Sequence, residues 1–296
     1  MQKIQVAIIG TGNIGADLCE RLLTDDRFHV VALIGRRADS EGLMRFKGKV
    51  DHLLHHGVES LASIISKVDG VFDATSAFDH QEHWSICKEN LVWMIDLTPS
   101  KIGDPMVPSL IDKSNEFSIN SQRVANYSMV TCGGQSSAAL IYAFSKYSKN
   151  IQEIEISSSI ASLSAGPATR RNIDQYISST EDLGIRISGS GKVKAILVIN
   201  PSTPPVMMRT TVQMKVDEVN LPLVVNELNG LVAIIQRYVP GYEVTIEPIL
   251  SPEMILSATV RVIGSGYYLP NYAGNLDIIN AAAVETASLH FEKTRG

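Results

Sequence analysis

The chain carries 296 residues, of which 45% are hydrophobic, with 26 basic and 31 acidic side chains and a net charge of −5. That length buries a large core and suits two domains or one elaborate one, which excludes a peptide-sized scaffold. The mildly acidic balance offers no nucleic-acid surface, no apolar run reaches bilayer length, and the opening MQKIQVAIIG enters a strand without a secretion-signal layout, so a cytoplasmic protein with no nucleic-acid or membrane partner is expected.

Residues 4–9, IQVAII, read as a short buried strand, and GTGNIG follows at once, opening a helix with Ile14, Leu18 and Leu22 on one face. In that context Gly10 permits the tight turn, Gly12 lets backbone approach a pyrophosphate, and Gly15 allows close helix–sheet packing. Cys19 falls inside this helix as core. The second strand, HVVALIG, ends at Arg36 and Arg37, where an acidic residue ordinarily holds the adenosine ribose. An arginine pair there fits the 2′-phosphate of NADP and fits a merely solvated loop equally well; both readings stay open. GVFDATSA and LVWMIDLTPS extend a parallel sheet, with Ala74, Thr75 and Ser76 either bordering a nicotinamide or capping the next helix. The histidines in HLLHH and HQEHW have no cysteine or carboxylate cluster to complete a metal shell, so no metal is expected.

MVTCGGQSSAAL comes next, and it sets Cys132 at the start of a helix that runs to about Ser148. Unpaired N–H groups and the positive helix end favour a thiolate there, which makes Cys132 a candidate nucleophile. With Cys19 and Cys87 it makes an odd cysteine count without metal spacing, so no disulfide framework is expected. Five strand-like stretches follow, IQEIEISSSIASLSAG, KVKAILVINP, VMMRTTVQMKV, YEVTIEPIL and ILSATVRVIG, with helical stretches near 171–182 and 223–238. The last stretch, NLDIINAAAVETASLHFEK, is helical. The fold class is thus α/β: a Rossmann dinucleotide-binding domain over 1–130, to which a helix within 271–296 returns, plus an α+β catalytic and dimerisation domain over 131–270.

A cysteine at a helix start beside a nicotinamide defines a chemistry. The sulfur adds to an aldehyde, the thiohemiacetal gives up hydride, and a thioester remains, whose acceptor names the enzyme. GTGNIG, FDATSA, IDLTPS, MVTCGGQ, SAGPATR, NPSTPPVMMR and YLPNYAGNLDI, in this order over nearly the whole chain, resemble the acylating acetaldehyde dehydrogenases. The resemblance implies conversion of acetaldehyde, NAD and coenzyme A to acetyl-CoA and NADH, with the acyl group carried on Cys132. It implies NAD contacts from Thr11, Gly12, Asn13 and Ile14, from the segment Ser164, Ala165, Gly166, Pro167, Ala168, Thr169, Arg170, Arg171 and Asn172, and from Asn275. From the residues alone, that segment is also a Gly-Pro turn with a helix cap, and Asn275 a turn residue after Gly274. A homo-oligomer is implied, and in several relatives a partner 4-hydroxy-2-oxovalerate aldolase delivers the aldehyde through a channel.

Three positions depart from the family pattern. Thr210 stands where an acidic residue usually follows MMR and is credited with activating the cysteine. Arg37 replaces a typical Asp, and Ala168 a frequent glycine. Two alternatives therefore stay open: a related aldehyde or semialdehyde dehydrogenase of a biosynthetic pathway acting on a different aldehyde, and a weakly active subunit that mainly binds an aldolase.

Overall fold

The unbroken apolar run of IQVAII suits a strand covered on both faces. In the computed structural model, which describes residues 3–295, β1 (Ile4–Ile9) lies inside a seven-stranded sheet. After it come α1 (Asn13–Leu23), β2 (Phe28–Ile34), the short α2 (Glu41–Met44), β3 (His52–Leu54), β4 (Gly70–Asp73), α3 (His80–Glu89), β5 (Trp93–Asp96), β6 (Asp104–Pro105) and β7 (Asn126–Ser128). All pair in parallel, in the order β3-β2-β1-β4-β5-β7-β6. The winding reverses between β1 and β4, and a crevice opens where their C-terminal loops part.

Helix α4 (Cys132–Lys146) leaves this sheet. It is followed by β8 (Ser148–Lys149), β9 (Glu153–Ala161), α5 (Pro167–Arg171), α6 (Ile173–Ser188), β10 (Val193–Asn200), β11 (Met208–Lys215), β12 (Glu218–Val219), α7 (Leu221–Ile235), β13 (Tyr242–Leu250), β14 (Ile255–Val262) and α8 (Gly274–Arg295). Five of these strands build a second sheet, β10-β9-β11-β14-β13, antiparallel except for β9 and β10, which α6 connects. Alternation in β11 turns Met208, Thr210, Val212 and Met214 inward, beneath α4 and its neighbours. The opposite face of the sheet exposes Val198, Ile246 and Ile249.

Two helices tie the sheets together. Helix α4 is buried on nearly all sides, and its GGQSSAA start keeps side chains small where α6, α7, α8 and β11 crowd it. Helix α8 lies against α1, β5 and β14. Its Asn280 Nδ2 donates to Asp17 Oδ2 at 2.8 Å, and its Asp277 pairs with Arg21, all in the interior.

Every strand and helix expected from periodicity is present, with shifted ends. The helix expected near 171–182 is α6, which begins after the short α5 ends at Arg171 and runs on to Ser188, where Gly189, with a positive φ of 68°, closes it. Helix α3 and the short β3, β6, β7, β8 and β12 carry too few residues, or too polar a surface, to give a periodic signal. No helix among the described residues is long and apolar enough to cross a membrane.

Candidate active site

The glycine turn is shaped by contacts. Gly10 has φ +109°, and a Cβ there would sit 2.4 Å from Ala74 O; a Cβ on Gly15 would sit 2.0 Å from Gly10 O. Gly12 differs: a Cβ there would meet nothing within 4 Å, because the residue faces open space. Helix α1 makes its first internal bond from Ala16 N to Gly12 O, 2.8 Å, which leaves the preceding amides directed into that space. Two cavities meet here and share Gly12, Ala74, Thr75, Pro167 and Ala168 as walls. One runs past Arg36 and Arg171; the other ends at Cys132. Asn172 Oδ1 and Asn275 Oδ1 are buried without a hydrogen-bond partner, and both residues line the Cys132 cavity. A path continuous from the groove that carries Arg36 and Arg171, past helix-end amides, to unpartnered amide oxygens fits a dinucleotide extended with its nicotinamide toward the sulfur.

Cys132 occupies the first position of α4. Thr131 caps the helix by accepting from Gly134 N at 2.8 Å. Thr131 Oγ1 also lies 2.7 Å from Thr180 Oγ1, and Thr180 donates to Tyr176 O at 2.7 Å, so the start of α4 is pinned to α6. The pin places Tyr176 Oη 3.8 Å from Cys132 Sγ. Only glycine fits between them and β9, since a Cβ on Gly133 would lie 2.1 Å from Tyr176 Oη and 2.9 Å from Ser158 Oγ. Ser158 Oγ is 3.0 Å from Thr210 Oγ1, which is 2.7 Å from Ser136 Oγ, which donates to Gly133 O at 3.0 Å.

These surroundings correct the expectation of a thiolate. Burial pushes the Cys132 thiol up to about 11, while the Tyr176 hydroxyl and the Gly133 and Cys132 amides pull it only partly back. The helix end is present, but desolvation outweighs its partial charge. Burial also pushes Cys19 up to about 12 and Cys87 higher still, as core thiols that line neither cavity.

A second buried network supports the crevice from below. β4 and β5 both end in Asp-x-Thr, and in each the threonine folds back: Thr75 Oγ1 and N reach Asp73 Oδ1 at 2.5 and 3.1 Å, and Thr98 Oγ1 and N reach Asp96 Oδ1 at 2.6 and 2.7 Å. His80 Nδ1 lies 2.8 Å from Asp73 Oδ2 and 3.5 Å from Asp96 Oδ1, and His83 Nδ1 also reaches Asp73 Oδ2 at 2.8 Å. Despite full burial, the two histidines hold Asp73 well below the usual carboxylate range. Burial opposes a charge on His80, yet Asp73 and Asp96 carry it above its ordinary value. Burial pushes Asp96 up to about 6, with His80 opposing and Asp73 adding to the rise. The histidines of HQEHW thus act as partners of carboxylates that shape two cavity loops.

Of the residues implied for the cofactor, Gly12, Asn13, Ile14, Gly166, Pro167, Ala168, Thr169, Asn172 and Asn275 line the Cys132 cavity, and Thr11 and Arg171 line the groove. Ser164, Ala165 and Arg170 line neither. Ser164 O accepts from Asn13 Nδ2 at 3.4 Å, and Arg170 folds back on Ala165 O and Ser162, so these residues hold the loop. Arg36 is on the groove wall, whereas Arg37 points out and sits 3.6 Å from Asp39. Sequence reasoning missed Tyr176, Ser136 and Ser158, which no local pattern marks. The repeated Asp-x-Thr was a legible signal for the second network.

Residues 5–122 match the family described as semialdehyde dehydrogenase, NAD binding domain, and residues 132–270 match prokaryotic acetaldehyde dehydrogenase, dimerisation. An acetaldehyde dehydrogenase of Pectobacterium atrosepticum is 40% identical over 97% of this chain and 96% of its own length. One from Spirochaeta aurantia is 44% identical over 97% and 94%, respectively. Among solved structures, a probable aspartate-semialdehyde dehydrogenase from Pseudomonas aeruginosa shares the fold, with a TM-score of 0.64 at 13% identity over 98% of this chain and 99% of that one. With an NAD-binding crevice, a cysteine at its end and relatives of this identity along nearly its whole length, the chain belongs to the acetaldehyde dehydrogenase family.

Proposed function

We propose that the protein oxidises acetaldehyde with NAD and passes the acyl group to coenzyme A through a thioester on Cys132. The observation that carries this reading is the placement of the Cys132 sulfur in a cavity whose other walls are the glycine turn of α1 and the loop before α6. When bound along this path, NAD supplies the hydride acceptor. The chain's own part is positional. The cap of Thr131 and its link to Thr180 hold the sulfur, and Asn172 and Asn275 offer amide oxygens to polar groups entering the cavity. Leu97, Val130 and Ile279 exclude water from the reacting centre.

Membership of the family supports coenzyme A as acceptor, a cytoplasmic setting, an aldolase as source of the aldehyde, and the division into residues 1–130 with the returning helix and residues 131–270. The exposed apolar face of the second sheet supports self-association through it. Arg36 on the groove supports use of NADP beside NAD. Replacing Cys132→Ala abolishes NADH formation from acetaldehyde and leaves NAD affinity within about threefold of wild type, since sulfur and glycine turn act separately. Mass spectrometry after acetaldehyde and NAD without coenzyme A finds the acetyl group on Cys132; its appearance on Cys19 or Cys87 refutes the assignment.

A further inference from the structure

Burial raises the Cys132 thiol above its ordinary value, and the side chains hydrogen-bonded around it include no base. Around the sulfur, α4, α6, β9 and β11 contribute only hydroxyls: Thr131 and Ser136, Tyr176 and Thr180, Ser158, and Thr210. The groups acting on Cys132 and on Tyr176 include each other, Ser158 and backbone amides, and no charged side chain. A thiol at about 11 leaves roughly one sulfur in ten thousand ionised at pH 7. Addition to an aldehyde from this site needs a proton path.

The hydroxyls define one, because each carries a single hydrogen. Ser136 spends its hydrogen on the Gly133 carbonyl, so Thr210 donates to Ser136 and Ser158 donates to Thr210. Cys132 Sγ donates to Tyr176 Oη at 3.8 Å, so a lone pair of Tyr176 faces the sulfur and its own hydrogen is left for another acceptor. The chain of donors ends at a backbone carbonyl, which cannot keep a proton. A proton that enters at Tyr176 therefore has no exit through the protein. The open side of Tyr176 is the cavity itself, which it lines together with Cys132.

We propose that Tyr176 is a catalytic residue that passes the proton of the Cys132 thiol to the oxygen of the aldehyde. This rests on the reading of Cys132 as the acyl carrier. As sulfur bonds to the carbonyl carbon, the C=O π bond opens, the S–H proton moves to Tyr176 Oη, and the hydroxyl proton of Tyr176 moves to the carbonyl oxygen. The product is a neutral thiohemiacetal and an unchanged tyrosine. No charge is created among side chains that carry none to offset it. The step needs no carboxylate, which accounts for how a chain with Thr210 at the heart of the network performs it.

The test is the pre-steady-state burst of NADH at low acetaldehyde concentration, where addition to sulfur limits the rate, from pH 6 to pH 9. In wild type the burst rate changes by less than about threefold over this range, because the thiol itself is the reactant. Tyr176→Phe lowers the rate at pH 7 by about a hundredfold or more and makes it climb about tenfold per pH unit, as attack then waits for free thiolate. NAD affinity stays at the wild-type value. A Tyr176→Phe burst within about threefold of wild type, or a pH profile parallel to it, overturns the proposal. In wild-type enzyme the burst also slows in D2O with a quadratic dependence on deuterium fraction, as two protons move together; a linear dependence or no slowing overturns it without any variant. The Cys132→Ala enzyme separates the two claims: NADH formation that survives this change removes the acyl-carrier reading, whereas a silent Cys132→Ala beside a normal Tyr176→Phe removes only the relay.

Discussion

Two buried polar networks flank the same crevice, and they are built on opposite principles. Around Cys132 every side-chain partner is a neutral hydroxyl, and no charged side chain acts on the thiol. Beneath Thr75 and Thr98 two carboxylates and two histidines lie in mutual contact at zero to a few per cent exposure. The ionised network has opposite charges to offset desolvation, so it can hold loops rigidly. The neutral network has none and keeps its thiol protonated. Burial alone therefore does not predict ionisation; what matters is whether an opposite charge was buried with the group.

The largest effect expected from breaking this contrast is at His80. His80→Gln keeps a donor near Asp73 but removes the cation between Asp73 and Asp96, and it lowers unfolding stability by about 3 kcal/mol near pH 6, measured by urea denaturation. The sign follows from the directions of the shifts. His80 is raised, so its contribution is complete below the unfolded value of about 6.5 and fades as pH rises through the folded one. Asp73 is lowered, so its contribution is present above about 4 and disappears as pH falls through its folded value. The gap between wild type and His80→Gln is widest between these limits and narrows on the alkaline side; a gap that grows above pH 8 refutes a charged His80.

Placing a charge in the neutral network is the converse test. Thr210 is fully buried beside Ser136 and Ser158, so the carboxyl of Thr210→Asp has no cation to meet. Its pKa rises by desolvation, and the variant loses stability as pH climbs from about 4 toward the raised value, by about 1.4 kcal/mol for each unit of that rise. Thermal melts from pH 4 to pH 8 read this directly, and a melting temperature that tracks wild type throughout shows that the network tolerates charge. The smallest effect is at Arg36, an exposed charge outside both networks. Arg36→Ala weakens NADP binding about tenfold and NAD less than about twofold at low salt, by titration, and the difference shrinks as salt screens it. Equal losses for both cofactors would remove Arg36 from the ribose end.

Much of this was legible in the chain. β1, the glycine turn and α1 follow from an apolar run, three glycines and helical spacing, and the five strands of the second sheet follow from alternation. Cys132 was placed correctly at a helix start, yet its ionisation was not, because the helix end is sealed by α6 and β9, elements far along the chain. The same distance hid Tyr176. It lies in the polar-looking IDQYISSTEDLG, and only the packing of α6 on α4 turns its hydroxyl toward sulfur. Serine and threonine in β9 and β11 read as ordinary strand residues until register sets Ser158 opposite Thr210.

Helix α8 has a consequence for the order in which the molecule can be made. Asp17 and Arg21 sit on the inner side of α1, and their partners Asn280, Tyr268 and Asp277 lie more than 250 positions later, as with Asp17 Oδ1, which accepts from Tyr268 N across 251 positions. During synthesis the first sheet emerges long before these partners. Until α8 docks, α1 presents a carboxylate and a guanidinium toward a surface meant to be interior, and Trp93 and Tyr127 lack the edge contacts of His290. The cofactor crevice is therefore completed only when α8, made long after α1, docks against it. A nascent chain that stalls before residue 274 holds every residue of the glycine turn and none of the helix that steadies it.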